Sequence, residues 1–345
     1  MKYLTTILIT ILATATLNAT TAYNPYHLKG TWMDGYMSNI VLAVDKPDRL
    51  DPETDSNTLQ GMKDSRPVNV NGLDGLVSTY NDSSIMRSDI SYELLPLNSG
   101  NEYMKVSPAT PNNNTVIVFF HGGAYAYGNH GGSQGLALSA FFGSQVLSIG
   151  YDMAPDENRH DLSVQKASDD LDTLLNDLGI NRSNVILSGV SAGAGMAGEV
   201  YRQLKIDGKN TNFKGIWSWS GWWDLRNIGD TRNTYNNADT SLIWKGQLEQ
   251  LAKNWLDQTT IEDTNETGSP ITQDFTGFPK TMFSMTIKET LSSDSIRAYQ
   301  KALDANVEAK LYAVDGYAHN AFIKMTEQVS INHMNVADRF FNITQ

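Results

Sequence analysis

The decapeptide GVSAGAGMAG, residues 189–198, decides how this chain is to be read. Two glycine patterns overlap in it. Gly189, Ser191 and Gly193 form G-x-S-x-G, whereas Gly193, Gly195 and Gly198 form G-x-G-x-x-G. The first pattern places a serine at the apex of a sharp strand-to-helix turn, with its hydroxyl exposed for chemistry. The second lets a backbone approach a pyrophosphate. A plain glycine-rich turn is the third reading.

The surrounding sequence separates them. A pyrophosphate turn needs a strand feeding straight into its first glycine and an acidic residue about 20 positions on. Here the apolar run VIL (185–187) ends before Gly189, so Gly193 already lies in the turn or the helix. Position 213 is Phe213, and the first acid on the following strand is Asp224, 31 residues after Gly193. The serine pattern meets its requirements: a strand ends, the chain turns and a helix begins. Ser191 is then the candidate nucleophile. The N–H of Ala192, at the start of that helix, is a candidate oxyanion donor.

A nucleophile needs partners. FFHGGAY (119–125) follows a buried apolar run, and a His-Gly-Gly turn can aim successive N–H groups at one point. Gly122, Gly123 and Ala124 are therefore the other oxyanion candidates, with His121 shaping the loop. The chain has six histidines. His27 lies in the N-terminal region, His121 and His130 in the glycine-rich loop, His160 near a helix start before the nucleophile, and His333 inside the last helix. His319, in VDGYAHNAF just past the last expected strand, stands where a general base reaches over a sheet. A carboxylate to orient it belongs between 191 and 319 in the order Ser…acid…His. Glu289 is the first acid after the strand KTMFSMT, and Asp294 the second. Asp294 also reads as a helix N-terminal acid, and Asp315 as a turn residue.

Outside this centre, apolar patterning predicts strands in MRSDISYELLPL and NEYMKVS, joined at Asn98-Ser99-Gly100. Further strands are expected in TVIVFF, SQVLSIGYD, NVILSG, KGIWSWSGWWDL, KTMFSMT and AKLYAVDG. Helices are expected over residues 161–179 (apolar at Leu162, Ala167, Leu171, Leu174 and Leu175, stopped by Gly179), after Ser191, over 241–256, over 294–306 and over 321–341. Alternating strands and helices imply an α/β protein with a mostly parallel sheet flanked by helices. Residues 23–85 are polar and turn-rich, with helices that could cover a site. Trp217, Trp219, Trp222, Trp223 and Trp244 line an acyl pocket or fill the core, and core packing is the favoured reading.

With these residues in hand, the chain resembles the α/β-hydrolase superfamily, in particular its hormone-sensitive-lipase-like esterases, over residues 115–322. HGGAY resembles that group's His-Gly-Gly-Gly-Trp turn, and GVSAG its Gly-Asp-Ser-Ala-Gly elbow. GYDMAPDE resembles Tyr-Arg-Leu-Ala-Pro-Glu through Tyr151, Ala154 and Pro155, and DGYAHNAF the Gly-x-x-His-x-Phe ending. The 30-residue interval from Glu289 to His319 suits the group's acid-to-base spacing. Ala124 replaces the third glycine, with a Cβ that narrows the approach. Val190 replaces an aspartate, and the Asp-Pro-Leu acid motif is missing. The resemblance implies an α/β-hydrolase sheet with a helical cap built from about 23–85 and 225–276. It also implies hydrolysis of carboxylic esters, small or lipid-like, without a cofactor or a metal. A serine amidase or peptidase on the same constellation, and a catalytically silent binder on the same fold, are the rivals.

Composition sets the remaining bounds. The net charge of −12 over 345 residues argues against nucleic acid or an anionic membrane surface as partner. There is no cysteine, which excludes disulfides, thiolate metal sites and cysteine nucleophiles. Lys2 followed by an apolar, Thr-rich run over residues 4–17 reads as a secretory signal peptide, cleaved after Ala19 or Ala22. That run is 14 residues long, short of the roughly 20 needed to span a bilayer. The expectation is residues 1–22 as signal peptide, one domain over 23–345, and a secreted or periplasmic location with no later membrane segment. Glycosylation sequons stand at Asn81, Asn113, Asn181, Asn265 and Asn342.

Overall fold

The apolar-rich runs become strands buried on both faces. Val116–Phe120, Val185–Val190 and Thr281–Thr286 are buried at every position, as parallel strands covered on both sides must be. The computed structural model describes residue 60 and residues 63–111, 113–235, 245–257, 268–315, 317, 319–323 and 325–344. The expected signal peptide, Trp244 and the Asn265 sequon lie outside them.

The strands are β1 (Ile90–Pro96), β2 (Glu102–Pro108), β3 (Val116–Phe120), β4 (Gln145–Ile149), β5 (Val185–Val190), β6 (Gly215–Trp219), β7 (Thr281–Thr286) and β8 (Ala309–Val314). They form one sheet in the order β1-β2-β4-β3-β5-β6-β7-β8. The β1–β2 hairpin turns where expected, with Gly100 at φ +93°. It joins β4 antiparallel, and every other pairing is parallel.

The helices are α1 (Val70–Asn81), α2 (Ser133–Phe142), α3 (His160–Asp177), α4 (Ala192–Ile206), α5 (Thr231–Thr234), α6 (Lys245–Leu256), α7 (Ser292–Asp304) and α8 (Gln328–Phe341). Alternate residues of β3 point to opposite sides. Val118 and Phe120 join one core with apolar residues of α3, α4 and α7, while Ile117 and Phe119 join a second core with those of α1, α2 and α8. The sheet is thus covered on both faces, as right-handed crossovers require. The mostly parallel α/β architecture is the one expected.

Four local readings need correction. Helix α2 has no counterpart among the expected helices. Its segment SQGLALSAFF has eight of ten residues buried and no polar face, so it carries no amphipathic signal. Leu162 lies outside the apolar stripe of α3, at 65% exposure, while Val164 takes its place in the core. The strand expected over 214–225 ends at Trp219. Ser220 turns away at φ +45°, and Trp222 and Trp223 are buried in the following loop. The last helix is divided: a single 3₁₀ turn at Ala321–Ile323 precedes α8, which Asn342 closes in the left-handed conformation.

Candidate active site

Ser191 sits between the last residue of β5 and the first of α4, at φ +57° and ψ −122°. A serine holds such a backbone only when its surroundings over-determine it. They do: its N–H donates to Trp219 O (2.8 Å) and its C=O accepts from Trp222 N (3.0 Å). The glycines of the opening decapeptide are explained by close approach. A Cβ on Gly189 would lie 2.2 Å from Gly193 O, and one on Gly193 would lie 2.2 Å from Phe120 O. Gly195 and Gly198 pack against Tyr125, the Trp222 backbone and the Trp223 ring. The second glycine pattern therefore serves helix packing, not a pyrophosphate.

His319 lies in the loop after β8 and Glu289 in the turn after β7, both at the carboxyl end of the sheet. His319 Nε2 is 3.0 Å from Ser191 Oγ, and its Nδ1 is 2.6 Å from Glu289 Oε2. Glu289 is fully buried, and its other oxygen accepts from Thr286 N (3.0 Å). A carboxylate facing Nδ1 assigns the proton there, which leaves Nε2 free to accept from the serine hydroxyl. Asp294, the alternative acid, is not at this site. It is buried at the start of α7, where it accepts from Trp223 N, Asp224 N, Arg232 and Arg297. It anchors the loop after β6 to α7.

The His-Gly-Gly turn lies beside Ser191. His121 Nδ1–H donates to Gly122 O (2.7 Å), its ring stacks on Tyr151 at 4.4 Å, and Tyr151 Oη donates to His121 O (2.7 Å). His121 thus shapes the loop, as expected. Gly123, at φ +119°, has no room for a Cβ, which would lie 1.8 Å from Tyr127 O. Ala124 also has positive φ (+52°), but its side chain packs into the core and is absent from the cavity wall. The expected narrowing of the approach therefore does not occur. Among the described residues, none accepts a hydrogen bond from the N–H of Gly122, Gly123, Ala124 or Ala192.

Ser191, His319, Gly122 and Gly123 open on one cavity of about 610 Å³. Tyr127, Gln134 and Asn320 also line it; sequence reasoning singles out none of them. Only Asn320 carries a signal, as the neighbour of His319. Trp217, Trp219, Trp222 and Trp223 are fully buried and do not line it, so they fill the core. The segment before α1 braces the same loop. Arg66 donates to Ala126 O and Ala154 O, and Ser65 Oγ accepts from Gly128 N. Among the described residues, no group of three or more acidic or histidine side chains is arranged to hold a metal ion. No helix among them is long and apolar enough to cross a membrane.

Burial sets the charge state of the structural histidines. It pushes the His121 imidazole down to about 4 and holds His333, which accepts from Trp217 Nε1, well below its usual value. The unfolded chain takes up these protons near pH 6.5, before the folded chain does. Their contribution to stability is complete above pH 6.5 and is lost as pH falls from there toward 4. His121 alone should cost about 2 kcal/mol of unfolding free energy between pH 7 and pH 5. Urea unfolding at the two pH values should show this loss, and a smaller one in His121→Gln. Equal stability at both would contradict it.

Comparison with known proteins places this geometry. The sequence profile of the alpha/beta hydrolase fold family matches residues 117–323, which include every residue of the site. The chain belongs to the alpha/beta hydrolase fold family. Among curated relatives, the chain is similar to an esterase of Acinetobacter venetianus, 28% identical over 201 residues. That alignment covers 57% of this chain and 65% of the relative, so the chain spans just under two thirds of its length. Among solved structures, the chain is similar to an esterase from the bacterial hormone-sensitive lipase family, at 20% identity and a TM-score of 0.69. That match covers 91% of this chain and 98% of the other. An esterase/lipase from an uncultured bacterium matches at 19% identity and TM-score 0.69, over 92% and 99%. EstE5 matches at 19% identity and TM-score 0.71, over the same shares. At about one residue in five identical, these structures share an architecture with the chain.

Proposed function

We propose that the protein hydrolyses carboxylic esters through an acyl-enzyme, with Ser191 as nucleophile, His319 as general base and acid, and Glu289 as the orienting carboxylate. The observation that carries this reading is the relay from Ser191 Oγ to His319 Nε2 (3.0 Å) and from Nδ1 to Glu289 (2.6 Å), beside unpaired backbone N–H groups. Ser191 Oγ attacks the ester carbonyl carbon while Nε2 takes its proton. The carbonyl oxygen becomes an oxyanion, for which Gly122, Gly123, Ala124 and Ala192 are the candidate N–H donors. As the tetrahedral adduct collapses, Nε2–H protonates the departing alcohol oxygen. Water, deprotonated by Nε2, then releases the acid and restores the serine. Glu289 keeps the proton on Nδ1 and stabilises the imidazolium in both halves.

Several features beyond the chemistry belong to this reading. The esterase names of the relatives favour esters over amides. A cap contributed by about 23–85 and 225–276 belongs to the same proposal; residues 23–59, 61–62, 236–244 and 258–267 of it lie outside the described residues, and Ser65 and Arg66, which brace the loop beside the site, fall within the first stretch. The leader at residues 1–22 directs export to the periplasm or the medium. Turnover of 4-nitrophenyl acetate and of the matched 4-nitroacetanilide tests the class. An esterase cleaves the ester at least about 100-fold faster; preference for the anilide would establish the amidase reading instead.

A further inference from the structure

Arg232 is fully buried, and its guanidinium ties the turn that carries Glu289 to the loop after β6. Nη1 donates to Thr290 O at 3.0 Å. Nη2 donates to Asp294 Oδ2 at 2.9 Å and, at 3.4 Å, to Asp224 O. Thr231, its neighbour in α5, donates from Oγ1 to the same Thr290 O (2.9 Å) and accepts from Ser293 N (3.1 Å). Gly229 lets the two segments meet: a Cβ there would lie 2.0 Å from Ser293 Oγ. Thr290 directly follows Glu289, so α5 grips the acid turn one residue from the carboxylate that faces His319. The carbonyl of Glu289 itself is held within the turn, by Ser292 N and Oγ.

Anchoring Asp294 does not by itself explain this arginine. Asp294 also accepts from Arg297 (3.2 Å) and from the N–H groups of Trp223 and Asp224, and Nη2 of Arg232 alone completes the ion pair. Nη1 is a further donor, turned to a main-chain carbonyl of the acid turn. Taking a guanidinium out of water is costly, and its planar fork offsets that cost where fixed acceptors meet it. A hydrogen bond from a charged donor is shorter and stronger than a neutral one, so it fixes the carbonyl it reaches. The triad has use for such a constraint. Glu289 must keep its oxygen on His319 Nδ1, and a misplacement of about 1 Å at a catalytic group can cost roughly 100-fold in rate.

We propose that Arg232 is a positioning residue for the orienting acid: through Thr290 it holds Glu289 against His319. The proposal rests on the ester-hydrolysis reading above. Arg232→Met removes the bonds from both Nη groups, whereas Asp294→Asn breaks the same ion pair and leaves Nη1 on Thr290 O. The two variants therefore share a loss of stability and differ at the acid turn. On 4-nitrophenyl acetate, kcat of Arg232→Met should fall about 10- to 100-fold with KM within about threefold of wild type. Folded Asp294→Asn should keep most of its kcat. Thr231→Val withdraws the second bond to Thr290 O, leaves the ion pair intact and should lower kcat about fivefold, the worth of one hydrogen bond. It decides the question if Arg232→Met does not fold. The proton on His319 Nδ1, held between imidazole and carboxylate, gives an NMR resonance far downfield of the amides, identified by its absence in His319→Ala. That resonance should move in Arg232→Met and Thr231→Val and stay in place in Asp294→Asn. Wild-type kcat or an unmoved resonance in the folded Arg232 and Thr231 variants overturns the proposal. So does a fall in kcat in Asp294→Asn as large as in Arg232→Met. The resonance needs no turnover, so a wild type that cleaves no ester while the variants show these shifts overturns the ester reading alone.

Discussion

Replacing Ser191 by alanine should lower kcat/KM on esters by roughly 10⁵-fold and leave the fold intact. The loss is large because this hydroxyl is the proposed attacking group: His319 Nε2 faces Ser191 Oγ at 3.0 Å. The fold should survive because the strained backbone does not depend on the hydroxyl. The conformation at φ +57° is held by main-chain bonds from Ser191 N to Trp219 O and from Trp222 N to Ser191 O. Alanine keeps the same Cβ and the same main-chain bonds. The unfolding midpoint should therefore stay within a few degrees of wild type, roughly 1 kcal/mol. Rate assays and thermal unfolding on the same samples check both halves. A variant that kept its activity would remove Ser191 from the mechanism.

The second large effect separates the two acids. Glu289→Gln should lower kcat by roughly 10⁴-fold, through the tautomer rather than the fold. Thr286 N–H already donates to one oxygen of Glu289 (3.0 Å), so a glutamine there keeps its oxygen on Thr286 and turns its NH₂ toward His319. His319 Nδ1 must then accept, which moves the ring proton to Nε2 and removes the base that Ser191 needs. Asp294→Asn should do the opposite. Asp294 and Arg232 form an ion pair at 2.9 Å with both side chains fully buried. Breaking such a pair by removing one charge costs about 3–5 kcal/mol. The variant should lose stability while the folded fraction retains most of its kcat. Measuring kcat and urea unfolding for both variants tests the assignment. A large kcat loss confined to the Asp294 variant would reverse it.

How much of this is legible in the sequence depends on the kind of signal. A strand buried on both faces is plainest as a continuous apolar run, as in β3; β5 and β7 keep enough of that signal around the buried Ser188, Gly189 and Ser284 to be read as strands. The turn at Ser191 shows itself because steric exclusion at Gly189 and Gly193 leaves no other residue there. His319 emerges by elimination among six histidines and Glu289 by its place after a strand. Helix α2 is invisible because a helix buried all round has no polar face to set its period. The loop after β6 imitates a strand because Trp222 and Trp223 are apolar for tertiary reasons: Asp294, 70 residues beyond Asp224, accepts from the backbone N–H groups of Trp223 and Asp224. The cavity wall is out of reach for the same reason, since Tyr127, Gln134 and Asn320 converge only in three dimensions.

Everything in the mechanism depends on the activation of Ser191 by His319. A fluorophosphonate probe reacts with an activated serine whatever the natural substrate, so labelling the purified protein and mapping the modified peptide tests that activation by itself. A single adduct on Ser191, lost in His319→Ala, is the expected result. An adduct on another serine, or no adduct on folded protein, would contradict it.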